Sequence, residues 1–280
     1  MNNAILNPRA HWNFSPGQAL PQWQVVAVND ATESRNPMHD DRLAKQLGFD
    51  GGLVPGVTLY GYLTHPLVAI FGQAFLEHGS LEARFRRPVY AGETVTTEVK
   101  ITEAGPAHCA FELALTNLAG EICVVGSARF PAADAPARIA PAQAELPIER
   151  RPATPEELRA RPLLGSLQEL FTGAQSEKFL AVLGDDLALY QSVVHPSWLL
   201  RQANFVVDRN LAVGPWIHVA SEIQHLGVVS LDEPFTVCAQ VVELSAHKGK
   251  DYADVDVSIT TSRPVLRVLH RVIYRMPVPG

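Results

Sequence analysis

The sequence predicts an α+β fold built twice along the chain. Three observations carry this reading: a Pro/Ala-rich break near the middle, a long apolar stretch opened by proline in each half, and alternating apolar runs after each stretch.

The break lies between Pro131 and Pro162, a segment that holds 7 Pro and 9 Ala. Each proline fixes φ and removes a donor, so neither a ladder nor a long helix is expected there. Extended linker is expected instead. Thr154-Pro155-Glu156-Glu157 is the exception, a cap with proline at the first helical position that suits one short helix.

The helices are expected at Val54-Pro55-Gly56-Val57, running toward Phe75, and at His195-Pro196-Ser197-Trp198, running to Val207. Pairs such as Leu59/Leu63 and Leu199/Ala203 repeat at i, i+4, as a buried helix face requires. Pro66 is expected to kink or end the first helix. The strands follow. Val95, Thr97, Val99 and Ile101 alternate, as do Phe235, Val237, Ala239 and Val241. A period of two packs one face of a strand. Further runs match in order: 81–89 with 219–229, Phe111/Leu113/Leu115 with Val255/Val257/Ile259, and 122–130 with 265–276. Pro196 follows Pro55 by 141 residues and Glu233 follows Glu93 by 140, so the halves repeat. A long apolar helix followed by several long strands packs economically when the sheet curls around the helix, the hot-dog arrangement. The expectation is therefore a tandem hot-dog: residues 1–130, a linker at 131–162, and 163–280.

Composition narrows the function. The 280 residues are 47% hydrophobic and 19% charged, enough for a substantial core. The net charge of −6 argues against general nucleic-acid binding. No apolar run reaches about 18 residues, the length of a membrane span. The N-terminus does not read as a signal peptide, which makes the cytoplasm the expected compartment. Cys109, Cys123 and Cys238 fit no zinc spacing, and neither do His218, His225, His247 and His270, so no metal and no separate cofactor are expected. These cysteines read as buried apolar residues.

The informative segment is VNDATESRNPMHDDRLAKQLGFDGGLVPGVTLYGY, from Val28 to Tyr62. It resembles the hydratase motif of MaoC-like dehydratases and (R)-specific enoyl-CoA hydratases, G-D-x-N-P-x-H followed by an acidic residue, an Ala and a Gly-Phe-x-G stretch. Asn36, Pro37, His39, Asp41, Ala44, Gly48, Phe49 and Gly51 stand at matching spacings. Ala83-Arg84-Phe85-Arg86-Arg87-Pro88-Val89 and Gly92-Glu93-Thr94-Val95 resemble the strand and turn after the helix. The likeness covers about residues 25 to 130, and the second half has no N-P-x-H.

The resemblance implies an acyl-coenzyme A thioester as the bound partner and hydration or dehydration as the reaction. It implies His39 as acid/base, Asn36 as the residue fixing the loop, and the backbone N–H at Gly56 as the group meeting the thioester oxygen. Gly56, without a side chain, would let the thioester approach. The sequence departs from the motif at its carboxylate: Ser34 stands at the Asp position and Glu33 at the Gly position. Serine cannot act as a carboxylate at neutral pH. Asp30, Glu33 and Asp40 are the candidate substitutes.

Blander readings stand beside these. Asp40 and Asp41 suit the first turn of a short helix. Arg84, Arg86 and Arg87 either bind coenzyme A phosphates or decorate a strand. Tyr60 and Tyr62 read as core or interface residues, and His195 as structural. Three functions remain open: a hydro-lyase using His39, a thioesterase using Asp30 or Glu33, and a non-catalytic acyl-CoA-binding protein. Acyl length and pathway are not legible. A fused pseudo-dimer can stand alone or pair again as a homodimer.

Overall fold

The computed structural model describes residues 14–31, 34–133 and 139–276. In the first half, β1 (Trp23–Val26) leads through a 3₁₀ turn (Pro37–His39) to α1 (Asp41–Gln46), α2 (Gly56–Phe71) and α3 (Gln73–His78). Then come β2 (Ser80–Phe85), β3 (Thr94–Ala104), β4 (Cys109–Asn117) and β5 (Ile122–Phe130). The next residues form β6 (Arg151–Pro152) and α4 (Pro155–Ala160). The second half adds β7 (Leu163–Leu170), α5 (Gly173–Leu183), α6 (Pro196–Asn210) and β8 (Leu211–Ala212). It ends with β9 (Ile217–His225), β10 (Pro234–His247), β11 (Lys250–Thr260) and β12 (Pro264–Arg275).

Ten of these strands form one antiparallel sheet in the order β1-β3-β4-β5-β2-β9-β12-β11-β10-β7. The order is the same read inward from either edge, once the halves are matched strand for strand. The seam is β2 against β9, with Ala83 opposite Ser221 and Arg84 opposite Ala220. Each half wraps one long helix, α2 or α6, as a hot-dog. The two helices approach closely: Ser197 Oγ donates to the Val57 carbonyl at 2.8 Å, and a Cβ on Gly61 would stand 3.0 Å from Ser197 Cβ.

Why α2 forms is plain from its residues. Apolar side chains occupy nearly every face, and almost all are buried. Of the two outcomes expected at Pro66, the helix does not end there but runs on to Phe71. Pro66 leaves the carbonyl of Tyr62 without its intrahelical donor. Thr97 Oγ1 on β3 supplies a replacement at 2.9 Å. Helix α6 begins at Pro196, with His195 Nδ1 accepting from Ser197 N at 3.1 Å, so His195 caps the helix.

Part of the Pro/Ala-rich segment takes regular structure, at Arg151–Pro152 and Pro155–Ala160. Thr154 caps α4 by accepting from Glu157 N at 3.3 Å. Against expectation, Arg151–Pro152 forms a two-residue ladder with Leu211–Ala212. It works because the parallel pair is short. Among the described residues no helix is long and apolar enough to cross a membrane.

Candidate active site at the meeting of the two halves

The hydratase-like loop is held by its own polar side chains. Asp40 caps α1 by accepting from Leu43 N at 2.8 Å, and Asp41 accepts from Gly52 N at 2.8 Å. Asn29 Nδ2 donates to the His39 carbonyl at 2.8 Å. The same carbonyl explains Gly52, where a Cβ would stand 2.5 Å from that oxygen. Asn36 ties the loop to the other half of the molecule. Its Nδ2 donates to the Trp216 carbonyl at 2.9 Å, and its Oδ1 accepts from Trp216 N and Met38 N, each at 3.3 Å.

This scaffold aims His39. Its Nδ1 lies 2.8 Å from the Leu53 carbonyl, which can only accept, so Nδ1 carries the hydrogen. Nε2 is then left with a lone pair. Burial holds the imidazole below its ordinary range. The Leu53 contact and Asp30 pull it upward, and Arg201 pulls it down. The result is a neutral histidine presenting a base.

Two cavities meet at this residue. One, of about 230 Å³, is walled by Phe49, Val54, Leu59, Phe85 and Pro88, with Arg86, Arg87 and Lys250 also lining it. The other, of about 510 Å³, is lined by Asp30, Ser34, Arg201 and Phe205. His39, Asn204 and Trp216 line both. Asn204 and Trp216 belong to the second half, so the site is built by both.

The other sequence candidates fall as follows. Ser34 is exposed and shares the larger cavity with His39, but its Oγ accepts from Asn36 N at 3.2 Å and shapes the turn. Asp30 lines that cavity too, in an ion pair with Arg201. It also accepts from Thr58 Oγ1 at 2.7 Å. Glu33 lies outside the described residues. Asp40 is committed to its helix cap.

The arginine cluster divides. Arg84 bonds Glu82 at 2.5 Å and lies on a trough of the sheet that does not include His39, so it does not join this site. Arg87 reaches the smaller cavity while paired with Glu121 at 3.1 Å. Arg86 and Lys250 reach it with no ion pair among the described residues. Lys250, which the sequence reading missed, comes from the far hairpin of the second half.

Gly56 begins α2, where Thr58 N and Leu59 N bond the Pro55 carbonyl and the earlier N–H groups lie outside the helical ladder. The space beside its Cα is not open, as the sequence reading had it. A Cβ there would stand 2.6 Å from His218 Nδ1 and 3.1 Å from Phe85 Cζ. Glycine is needed because the His218 ring fills that place. Among the described residues no three His, Cys, Asp or Glu side chains gather to hold a metal ion.

Comparison with known proteins agrees with this fold. Residues 8–112 match the family model of the MaoC like domain. A stretch of 83 residues is 40% identical to 3-hydroxyacyl-thioester dehydratase Y of Mycobacterium tuberculosis, covering 29% of this chain and 29% of that one. The match thus spans less than a third of the relative. Among solved structures, a MaoC-domain dehydratase candidate from Chloroflexus aurantiacus superposes with a TM-score of 0.67 at 12% identity, over 98% of this chain and 100% of that one. A conserved Mycobacterium tuberculosis protein described as a double hotdog superposes with a TM-score of 0.57 at 16% identity, over 93% and 97%. At these identities the likeness establishes the fold, a double hot-dog.

Proposed function

We propose that the protein is a hydro-lyase, on the ground that residues 8–112 match the family model of the MaoC like domain. It would add water to an enoyl thioester or remove it from a 3-hydroxyacyl thioester. The observation that carries this reading is His39, a neutral imidazole whose Nδ1–H is committed to the Leu53 carbonyl. Its Nε2 therefore offers a lone pair where two cavities meet.

In the hydration direction, Nε2 takes a proton from water as the water oxygen bonds to C3. The C2=C3 electron pair moves toward the thioester carbonyl. The imidazolium then returns the proton to C2, and the carbonyl re-forms. The N–H at the start of α2 supports the charged oxygen, aided by the positive end of the helix. Arg86, Arg87 and Lys250 line the smaller cavity with positive charge, which suits the phosphates of a coenzyme A arm. Asn36 positions the loop, and Ser34 shapes the turn that precedes it.

Asp30 is poorly placed to be the base of a thioesterase. Arg201 and Thr58 already hold its carboxylate oxygens, which leaves them engaged rather than free to activate water. The test measures two products from one incubation with a short enoyl-CoA. Loss of the enoyl absorbance without release of free thiol is expected. Release of free thiol in step with the loss of enoyl absorbance, which hydrolysis of the conjugated thioester also removes, would replace this reading with the thioesterase.

A further inference from the structure

Behind the site runs a buried chain of side chains that the reaction above does not use. His218 Nε2 lies 2.8 Å from Ser221 Oγ, and Ser221 Oγ lies 2.9 Å from His270 Nδ1. His270 Nε2 lies 3.0 Å from Asn204 Oδ1. His218, Ser221 and His270 are almost wholly buried, whereas Asn204 is only partly so. Burying two imidazoles and a hydroxyl is costly unless each is satisfied. One atom is not: His218 Nδ1 is buried without a hydrogen-bond partner. That atom faces the first residue of α2, as the 2.6 Å approach to a Cβ on Gly56 shows.

The far end sets the direction of the whole chain, because Asn204 Oδ1 can only accept from His270 Nε2. The start of a 16-residue helix carries partial positive charge, which favours a lone pair over an N–H beside it. With its lone pair on Nδ1, His218 carries its hydrogen on Nε2 and donates to Ser221. Ser221 then donates to His270 Nδ1, and His270 Nε2–H donates to Asn204 Oδ1. Asn204 Oδ1 is thereby committed inward, which leaves the Nδ2 hydrogens as the donors that Asn204 can offer to the two cavities it lines beside His39.

We propose that Asn204, from the central helix of the second half, is a second donor to the thioester oxygen, acting beside the backbone N–H of Gly56. His218, Ser221 and His270 are positioning residues that hold its amide in the donating orientation. The inference rests on the acyl-thioester reading given above. It gives the second half a chemical task in a site whose motif lacks a carboxylate at Ser34. As the C3–O bond forms and His39 takes the water proton, the electron pair displaced from C2=C3 comes to rest on this oxygen. A fixed side-chain N–H then lowers the energy of that enolate.

The probe is acetoacetyl-CoA, whose bound enolate gives a near-ultraviolet band without turnover. The wild-type protein should raise the enolate fraction of the bound ligand. Asn204→Ala should lower its enolisation constant at least tenfold, and Asn204→Asp further still. In hydration, Asn204→Ala should lower kcat by roughly 10²-fold, the scale of a lost oxyanion donor, with KM moving less than about threefold. His270→Phe should reproduce part of both losses, because it frees the amide to rotate. Position 204 is only partly buried on a helix and alanine favours helices, so the variant should fold, as a urea midpoint will show.

An unchanged enolate band in Asn204→Ala overturns the inference, and if hydration persists the hydro-lyase reading stands without it. An Asn204-dependent band in a protein that hydrates no enoyl-CoA leaves the inference and removes the hydro-lyase. Failure of the wild-type protein to bind acetoacetyl-CoA removes both.

Discussion

Lowering the pH from 7 to 5 should destabilise this protein steeply, because it buries neutral histidines. His225 and His270 are both almost wholly buried, and burial pulls each down to about 3. In the unfolded chain an imidazole titrates near 6.5, at roughly 1.36 kcal/mol per pH unit of difference. The folded value is depressed, so the unfolded state binds protons first. The stabilisation is complete above about pH 6.5 and is lost as pH falls toward the folded value. At pH 5 each histidine has lost about 2 kcal/mol, and the pair about 4 kcal/mol. That is a large share of an ordinary folding stability of about 5–15 kcal/mol. Burial also lowers His39, His195 and His218, which adds to the loss in the same direction. Urea unfolding at pH 7 and pH 5 measures the difference. His225→Gln removes one titrating group while keeping a polar partner for the Tyr60 hydroxyl, which lies 2.8 Å from His225 Nε2. It should remove about 2 kcal/mol of the pH-dependent loss. Equal stabilities at the two pH values, or a variant as acid-sensitive as the wild type, would refute the reasoning.

Other substitutions test individual contacts. Thr97→Val leaves the buried Tyr62 carbonyl without a donor and should cost about 1–3 kcal/mol in urea unfolding. Gly56→Ala drives a methyl into the His218 and Phe85 rings; it should lower both the melting temperature and hydration. Ser34→Asp adds a carboxylate to the cavity that holds His39 and should raise the hydration rate of a short enoyl-CoA. Replacing Arg86 and Lys250 by Ala should weaken acyl-CoA binding and flatten its salt dependence in calorimetric titrations, because two cations near the phosphates are gone.

The doubled architecture was legible because each half repeats the same local patterns. Proline marks both helix starts, and period-two alternation marks β3 and β10. Strands β1 and β7 and helix α5 were not anticipated. Strand β1 is only four residues, Trp23–Val26, and β7 reads LLGSLQEL, which holds neither period cleanly. Their edge positions come from pairing with β3 and β10, residues far away in sequence.

The loop holding His39 was legible because its motif is local. The second half's contribution was not, since Asn204, Trp216, His218 and Lys250 meet the loop only through tertiary packing and carry no motif of their own. The arginines show the same limit. Strict alternation would send Arg84 and Arg86 to one face. Strand β2 ends at Phe85, however, and the N–H groups of Arg86 and Arg87 both turn to the Cys123 carbonyl, at 2.8 and 3.2 Å. Arg86 therefore lines the cavity beside His39 as well as the sheet trough that it shares with Arg84.

The central claim is that His39 carries the proton in a water addition, and one measurement tests it directly. Hydration of a short enoyl-CoA is followed by loss of enoyl absorbance for the wild-type protein and for His39→Ala at saturating substrate. The account predicts a fall of about 10²–10⁴-fold in kcat, with unchanged unfolding by urea. Turnover by His39→Ala at the wild-type rate would contradict it and leave His39 as a structural member of the loop.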